Sequence, residues 1–196
     1  MVKKERMSTR TMVMGALLTA IVVVLQFMGA AIKFGTFSVS LVLIPIAIGA
    51  ITCGKGIGAW LGFVFGTVVL LSGDAAPFWA VNTPGTIITV LLKGTACGFM
   101  SGLLYEALLK ATGKSYTAAI AAALVCPIVN TGVFLLGCLV FFMETVAQWG
   151  AGLGFGRDVG RYMLVGLVGV NFLFEMAVNI VFAPAIVHII KVASRK

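Results

Sequence analysis

The sequence predicts an all-α membrane protein, a six-transmembrane-helix bundle in which residues 1–196 form a single integral membrane domain. Two observations carry this. Charged residues make up 10% of the chain against 61% hydrophobic residues, and the mean hydropathy is +1.14. Apolar runs of spanning length also recur from Thr11 almost to the last residues. A hydrocarbon core ~30 Å thick needs ~20 apolar helical residues to cross it. The chain holds several such runs and lacks the polar surface that a soluble domain of its length needs.

The first helix is expected over about 11–31. It follows Lys3, Lys4, Arg6 and Arg10, a pattern shared with signal peptides. No clear small-residue cleavage site follows, and later segments are equally apolar, so it reads as a membrane helix. The second, about 38–53, is short and contains Pro45, so it is expected to be kinked or to span incompletely. The third covers about 56–72, the fourth about 84–109, the fifth about 117–142 and the sixth about 160–191. The breaks fall at Lys33–Gly35, Gly54–Gly56, Ser72–Pro84, Thr112–Ser115 and the glycine-rich stretch Gly150–Gly160.

Charge sets the orientation. An even number of crossings places both termini on one side. Lys3, Lys4, Arg6, Arg10, Lys55, Lys110, Lys114, Lys191, Arg195 and Lys196 then share that side, against Lys33, Arg157 and Arg161 opposite. The positive-inside bias makes the ten-residue side cytoplasmic. The loops 72–84 and 143–160 face outward, with Asp74, Trp79, Asn82, Glu144, Trp149, Arg157 and Asp158. They read either as a lid over a site or as connectors with interfacial tryptophans. The net charge of +8 is explained by this topology, and no basic stripe with interleaved aromatics points to nucleic acid.

Small and polar residues recur every four positions. Gly54, Gly58, Gly62 and Gly66 lie along the third helix, and Gly94, Gly98 and Gly102 along the fourth. Such faces let helix backbones approach closely, here most simply inside the bundle. On the sixth helix Asn171, Glu175 and Asn179 share a face. A lone carboxylate in a span is costly, so Glu175 should face the interior. The fourth helix presents Thr86, Thr89, Lys93 and Cys97 on one face, and Lys93 is the basic residue inside a span. The fifth adds Asn130 and Thr131 just after Pro127, which frees backbone carbonyls in mid-span. Two readings follow: a structural Lys93–Glu175 pair with amides as interhelical glue, or a polar pocket for a small solute. The second makes Lys93, Asn130, Thr131, Asn171 and Glu175 substrate-binding residues, with Asn82 and Trp79 in the lid.

Enzymatic chemistry is not expected. The chain has no GxxxxGK[ST] loop, no GxSxG elbow and no HExxH, so it lacks a nucleotide-binding or catalytic motif. His188 is its one histidine, which leaves no plausible general base for an intramembrane hydrolase. Cys53, Cys97, Cys126 and Cys138 lie in or beside apolar segments without a CxxC pair. They read as inert thiols rather than metal ligands, and no cofactor is implied.

The basic N-terminus leading into Ala16-Leu17-Leu18-Thr19-Ala20, and the series Ile44-Pro45, Gly49-Ala50, Gly54, Gly58-Ala59 and Gly62, resemble the substrate-binding S components of energy-coupling factor (ECF) vitamin transporters. The resemblance covers nearly the whole chain. Pro127-Ile128-Val129-Asn130-Thr131-Gly132-Val133-Phe134 is similar to a fifth-helix segment of the pantothenate-type branch. Asn82-Thr83-Pro84 leading to Lys93-Gly94 is similar too, with Lys where that branch is expected to carry Arg. The resemblance implies a six-helix bundle that binds one small water-soluble vitamin, such as pantothenate, riboflavin or folate, from outside. It implies that Ala16 and Ala20 contact a transmembrane coupling subunit, that two cytoplasmic ATPase subunits supply energy, and that the component topples in the membrane to release its cargo. The competing classes are a partner-independent secondary transporter or channel, which would usually show inverted repeats, and a structural scaffold, which the polar stripes disfavour.

Overall fold

The computed structural model describes residues 8–30, 33–34, 37–38, 41–156 and 158–194. Nearly all of it is helical. The order is α1 (Thr9–Ala30), β1 (Lys33–Phe34), β2 (Phe37–Ser38), α2 (Leu43–Thr52), α3 (Lys55–Leu71), α4 (Ala76–Trp79), α5 (Thr83–Thr112), α6 (Ser115–Phe141), α7 (Met143–Gly152), α8 (Val159–Arg161), a π-helical segment Tyr162–Leu167, and α9 (Gly169–Ser194). The basic residues Lys3, Lys4, Arg6, Arg157, Arg195 and Lys196 lie outside the described residues.

On length and apolarity α1, α5 and α6 are each able to cross a membrane. The pair Val159–Leu167 and Asn171–Phe182, bent by 44°, makes a fourth if it is one span. α2 and α3 are shorter apolar helices of 10 and 17 residues. At 1.5 Å per residue, α2 reaches ~15 Å, about half a hydrocarbon core.

The structure corrects the expected helices in three places. The second helix begins at Leu43, not near residue 38, because Lys33–Phe34 pairs antiparallel with Phe37–Ser38. Phe37-Ser38-Val39-Ser40 alternates apolar and polar, a period of two that favours extended chain. Pro45 is then the third residue of α2. In the first turn its missing N–H costs no hydrogen bond, so it starts the helix rather than kinking it. The loops 72–84 and 143–160 contain α4, α7 and α8. The sixth helix is not continuous: it runs through π geometry at Tyr162–Leu167 and bends before α9. Gly166 and Gly169 flank that point, and helices kink where glycine and π turns relax the hydrogen-bond ladder.

Local sequence explains the limits of α5. Asn82 is its N-cap and accepts a hydrogen bond from Gly85 N at 2.9 Å through its side chain. Pro84 sits in the first turn, and Gly113 closes the helix in the left-handed region at φ 66°.

Helices α3 and α5 run antiparallel with their backbones in contact. A Cβ on Gly62 would strike Gly94 O, and one on Gly98 would strike Gly58 O. A Cβ on Gly66 would come 2.8 Å from Val90 O, and one on Gly102 2.6 Å from Lys55 Cα. The glycine ladders are therefore an internal seam. Gly54 stands outside it, as the N-cap of α3 at φ 92°. The seam ends at the Lys55 Nζ–Glu106 Oε2 ion pair, 2.8 Å long and partly exposed. α6 packs on the next face of α5, where Ser101 Oγ donates to Ala122 O at 2.8 Å and a Cβ on Gly137 would strike Thr89.

Two apolar clusters result. The larger joins α1, α2, α3, α5 and α6 through residues such as Val22, Ile46, Leu61, Phe65 and Ala122. The smaller lies at the α4–α7 end and gathers Phe78, Cys138, Phe142, Val146, Tyr162, Met163 and Leu167. Phe78 is its hub, edge-on to Phe134, Phe142 and Trp149 with centroids 5.6, 4.9 and 5.3 Å away.

Candidate functional site

A cavity opens where the two clusters meet. Phe65, Val69 and Val90 form its wall on the α3–α5 side, and Leu167, Val168 and Phe172 form it on the side of the π segment and α9. Ala75 and Phe134 add apolar surface from the α3–α4 turn and α6. Its polar groups are Gln26, Asp74, Lys93, Thr131, Asn171 and Glu175. The space is about 650 Å³, open mouth included.

Lys93 projects from the wall that the glycine seam fixes. Its ammonium lies over the Phe65 ring at 5.6 Å from the centroid and the Phe134 ring at 5.2 Å. Ring faces attract cations at such distances and supply partial compensation for lost water. Glu175 and Asp74 contribute further attraction across the cavity. The described residues hold no direct Lys93–Glu175 ion pair; the two side chains line the same space. An ammonium, two carboxylates, two amides and a hydroxyl around an aromatic-rich hollow can hydrogen-bond a small polar molecule and pack its apolar part.

Of the residues expected at a site, the structure brings Lys93, Thr131, Asn171 and Glu175 into this cavity. Asn130 is buried beside it, and its Oδ1 meets no partner among the described residues. Successive helical residues point ~100° apart, so Thr131 faces the space and Asn130 does not. Asn179 lies one turn from Glu175, whose carbonyl accepts from its Nδ2 at 2.8 Å. Asn82 is occupied in capping α5, and Trp79 is 40% exposed on the outer side of α4. Neither lines the cavity; Phe78 is the α4 residue that turns inward. Ala16 and Ala20 are exposed on α1, opposite a buried face of Gly15, Leu18, Val22, Gln26 and Gly29.

Sequence reasoning missed Gln26. It is 1% exposed and donates from Nε2 to Asp74 Oδ2 at 2.7 Å. The signal was available, since an amide inside an apolar span is as costly without a partner as the polar residues on later helices. Asp74 was legible as a polar loop residue, but its place in the cavity depends on the turn that follows α3.

The family whose description reads "ECF transporter, substrate-specific component" matches residues 10–187. The chain belongs to this family. As a substrate-specific component it is a membrane-embedded, substrate-binding transport protein rather than an enzyme. Family membership implies a vitamin substrate and an ECF module of coupling and ATPase subunits, the latter carrying the ATPase activity. Among solved structures it is similar to ThiT from Listeria monocytogenes, at 21% identity and a TM-score of 0.67, over 94% of this chain and 97% of that one. That likeness concerns the fold. The sequence matches no curated protein.

Proposed function

We propose that the cavity is the vitamin site and that Lys93 is its main recognition group, binding the carboxylate of a water-soluble vitamin such as pantothenate. The supporting observation is the Lys93 ammonium held between the Phe65 and Phe134 rings, on the cavity wall and facing Glu175. Lys is a compact point charge suited to a carboxylate. In this reading Thr131 and Asn171 supply neutral hydrogen bonds and Glu175 balances Lys93, while Asn130, expected at the site, is buried outside the cavity lining. Asn82 and Trp79 belong to the outer cover. The chain is one integral domain with six crossings and both termini in the cytoplasm. Ala16 and Ala20 meet the coupling subunit, and two cytoplasmic ATPase subunits drive uptake. A partner-independent transporter or channel is the weaker reading for a member of this family.

The test is equilibrium binding of pantothenate, riboflavin and folate to the purified full chain in nanodiscs. Losing a hydrogen bond to a charged group costs ~1.5–3 kcal/mol, so Lys93→Met should weaken a carboxylate vitamin ~10- to 150-fold. If Lys93 merely neutralises Glu175, Lys93→Met/Glu175→Gln should recover both fold and affinity, and full affinity in that double variant would sink the assignment. Orientation is tested at Leu153, an exposed residue after α7. Leu153→Cys should react with an impermeant maleimide on intact cells, and reaction only after permeabilisation would reverse the topology.

A further inference from the structure

Gln26 is the α1 residue on the cavity wall, and it is nearly inaccessible. Its Nε2 donates to Asp74 Oδ2 at 2.7 Å. Asp74 follows α3 in the turn Ser72–Ala75, which Gly73 enters at φ 82°, and it lines the cavity together with Ala75. One amide thus ties three things together: the helix that carries Ala16 and Ala20, the turn into α4, and a carboxylate facing the cavity. A carboxylate has lone pairs for several donors, and the bond from Gln26 helps to set its plane.

We infer that Gln26 is a positioning residue for Asp74, and that Asp74 so held accepts hydrogen bonds from N–H or O–H donors of the substrate. The inference rests on the cavity being the vitamin site, and it names a second recognition group there. Lys93 projects from mid-α5, whereas Asp74 stands beyond the end of α3. The backbone contacts of Gly62 with Gly94 and of Gly66 with Val90 place Asp74 farther along the α3–α4 direction than Lys93. A substrate spanning the two has an anionic or carbonyl group at the Lys93 end and hydroxyl, amide or amine donors at the Asp74 end. Pantothenate, with its carboxylate and its hydroxyls, has that form. Because Gln26 belongs to α1, the position of that helix is also part of the binding geometry.

The experiment separates orientation from a merely structural bond by exchanging donor and acceptor. Full-length protein in nanodiscs is incubated with an equimolar mixture of pantothenate, riboflavin and folate. Binding is read as the mass shift of the intact protein, and amide hydrogen exchange is followed over residues 72–80. Gln26→Leu and Asp74→Asn should each weaken binding ~10-fold or more, the effect of losing a charge-assisted hydrogen bond, and each should speed exchange over 72–80. Gln26→Glu/Asp74→Asn re-forms an N–H···O bond of the same length with the carboxylate moved to α1. It should restore slow exchange and leave binding weak. Recovery of wild-type binding in that pair would reduce Gln26–Asp74 to a structural contact and overturn the inference. So would undiminished binding by Asp74→Asn, or exchange over 72–80 unchanged in Gln26→Leu. Absence of any mass shift on the wild-type protein would instead defeat the vitamin assignment, and the exchange result alone would then decide whether Gln26 holds the turn.

Discussion

Along α3 and α5 two backbones touch; at the α4–α7 end aromatic rings touch, and the cavity lies between these regions. The seam relies on what is missing. Gly58, Gly62 and Gly66 meet Gly98, Gly94 and Val90 with no side chain between them, so neither helix has rotamers with which to adjust. The other end is built from pieces of four, ten and three residues and a π segment of six, held by the rings around Phe78. Ring packing tolerates small shifts better than backbone contact, and π turns are frequent at functional sites. Lys93 rises from the unyielding wall, whereas Phe134 and Leu167 reach the cavity from the adjustable side. The closely packed wall holds the charge, and the opposite end of the cavity is assembled from short elements.

The largest way to break that contrast is to fill the seam. Gly62→Val places branched carbons against Gly94, where there is no room for one. Overpacking of this kind costs ~1–3 kcal/mol where neighbours can shift, and more where they are backbone. The variant should lose its cooperative thermal transition in detergent, and with it vitamin binding. A transition within a degree or two of wild type would show that α3 and α5 part easily.

A smaller structural effect, with a sharper functional one, is expected at Ala16 and Ala20. These residues share the chemistry of the seam but are exposed, so Ala16→Leu/Ala20→Leu should leave melting and binding by the isolated protein unchanged. Uptake by cells that supply the coupling and ATPase subunits should be abolished, because a partner helix no longer approaches closely. Normal uptake would place the docking face elsewhere.

The smallest effect is expected at Gly132 in α6. Among the described residues, nothing beyond its chain neighbours and its own helix backbone lies within 4 Å of a Cβ placed there, and alanine is favoured over glycine in a helix by up to ~1 kcal/mol. Gly132→Ala should therefore melt at or slightly above the wild-type temperature. A marked loss would mean that α6 is as closely packed on that side as α3 is against α5.

The sequence alone determined the class of protein and much of its lining. Hydropathy marked the chain as apolar helices, of which three, or four with the bent pair, are able to cross a membrane, because lipid admits little but satisfied, apolar helix. Four-residue spacing picked out the glycine faces, and the cost of burying charge singled out Lys93 and Glu175. Its resemblance to ECF S components agrees with the family match over residues 10–187. Tertiary structure decided which polar residues meet. Periodicity gives the face of a single helix but not the rotation of one helix against another. Thr131 therefore lines the cavity while its neighbour Asn130 does not, and Phe78 turns inward while Trp79 faces out. Gln26 and Asp74 are 48 positions apart. No local pattern links them; the packing of α1 on α3 and the turn at Gly73 bring the amide to the carboxylate.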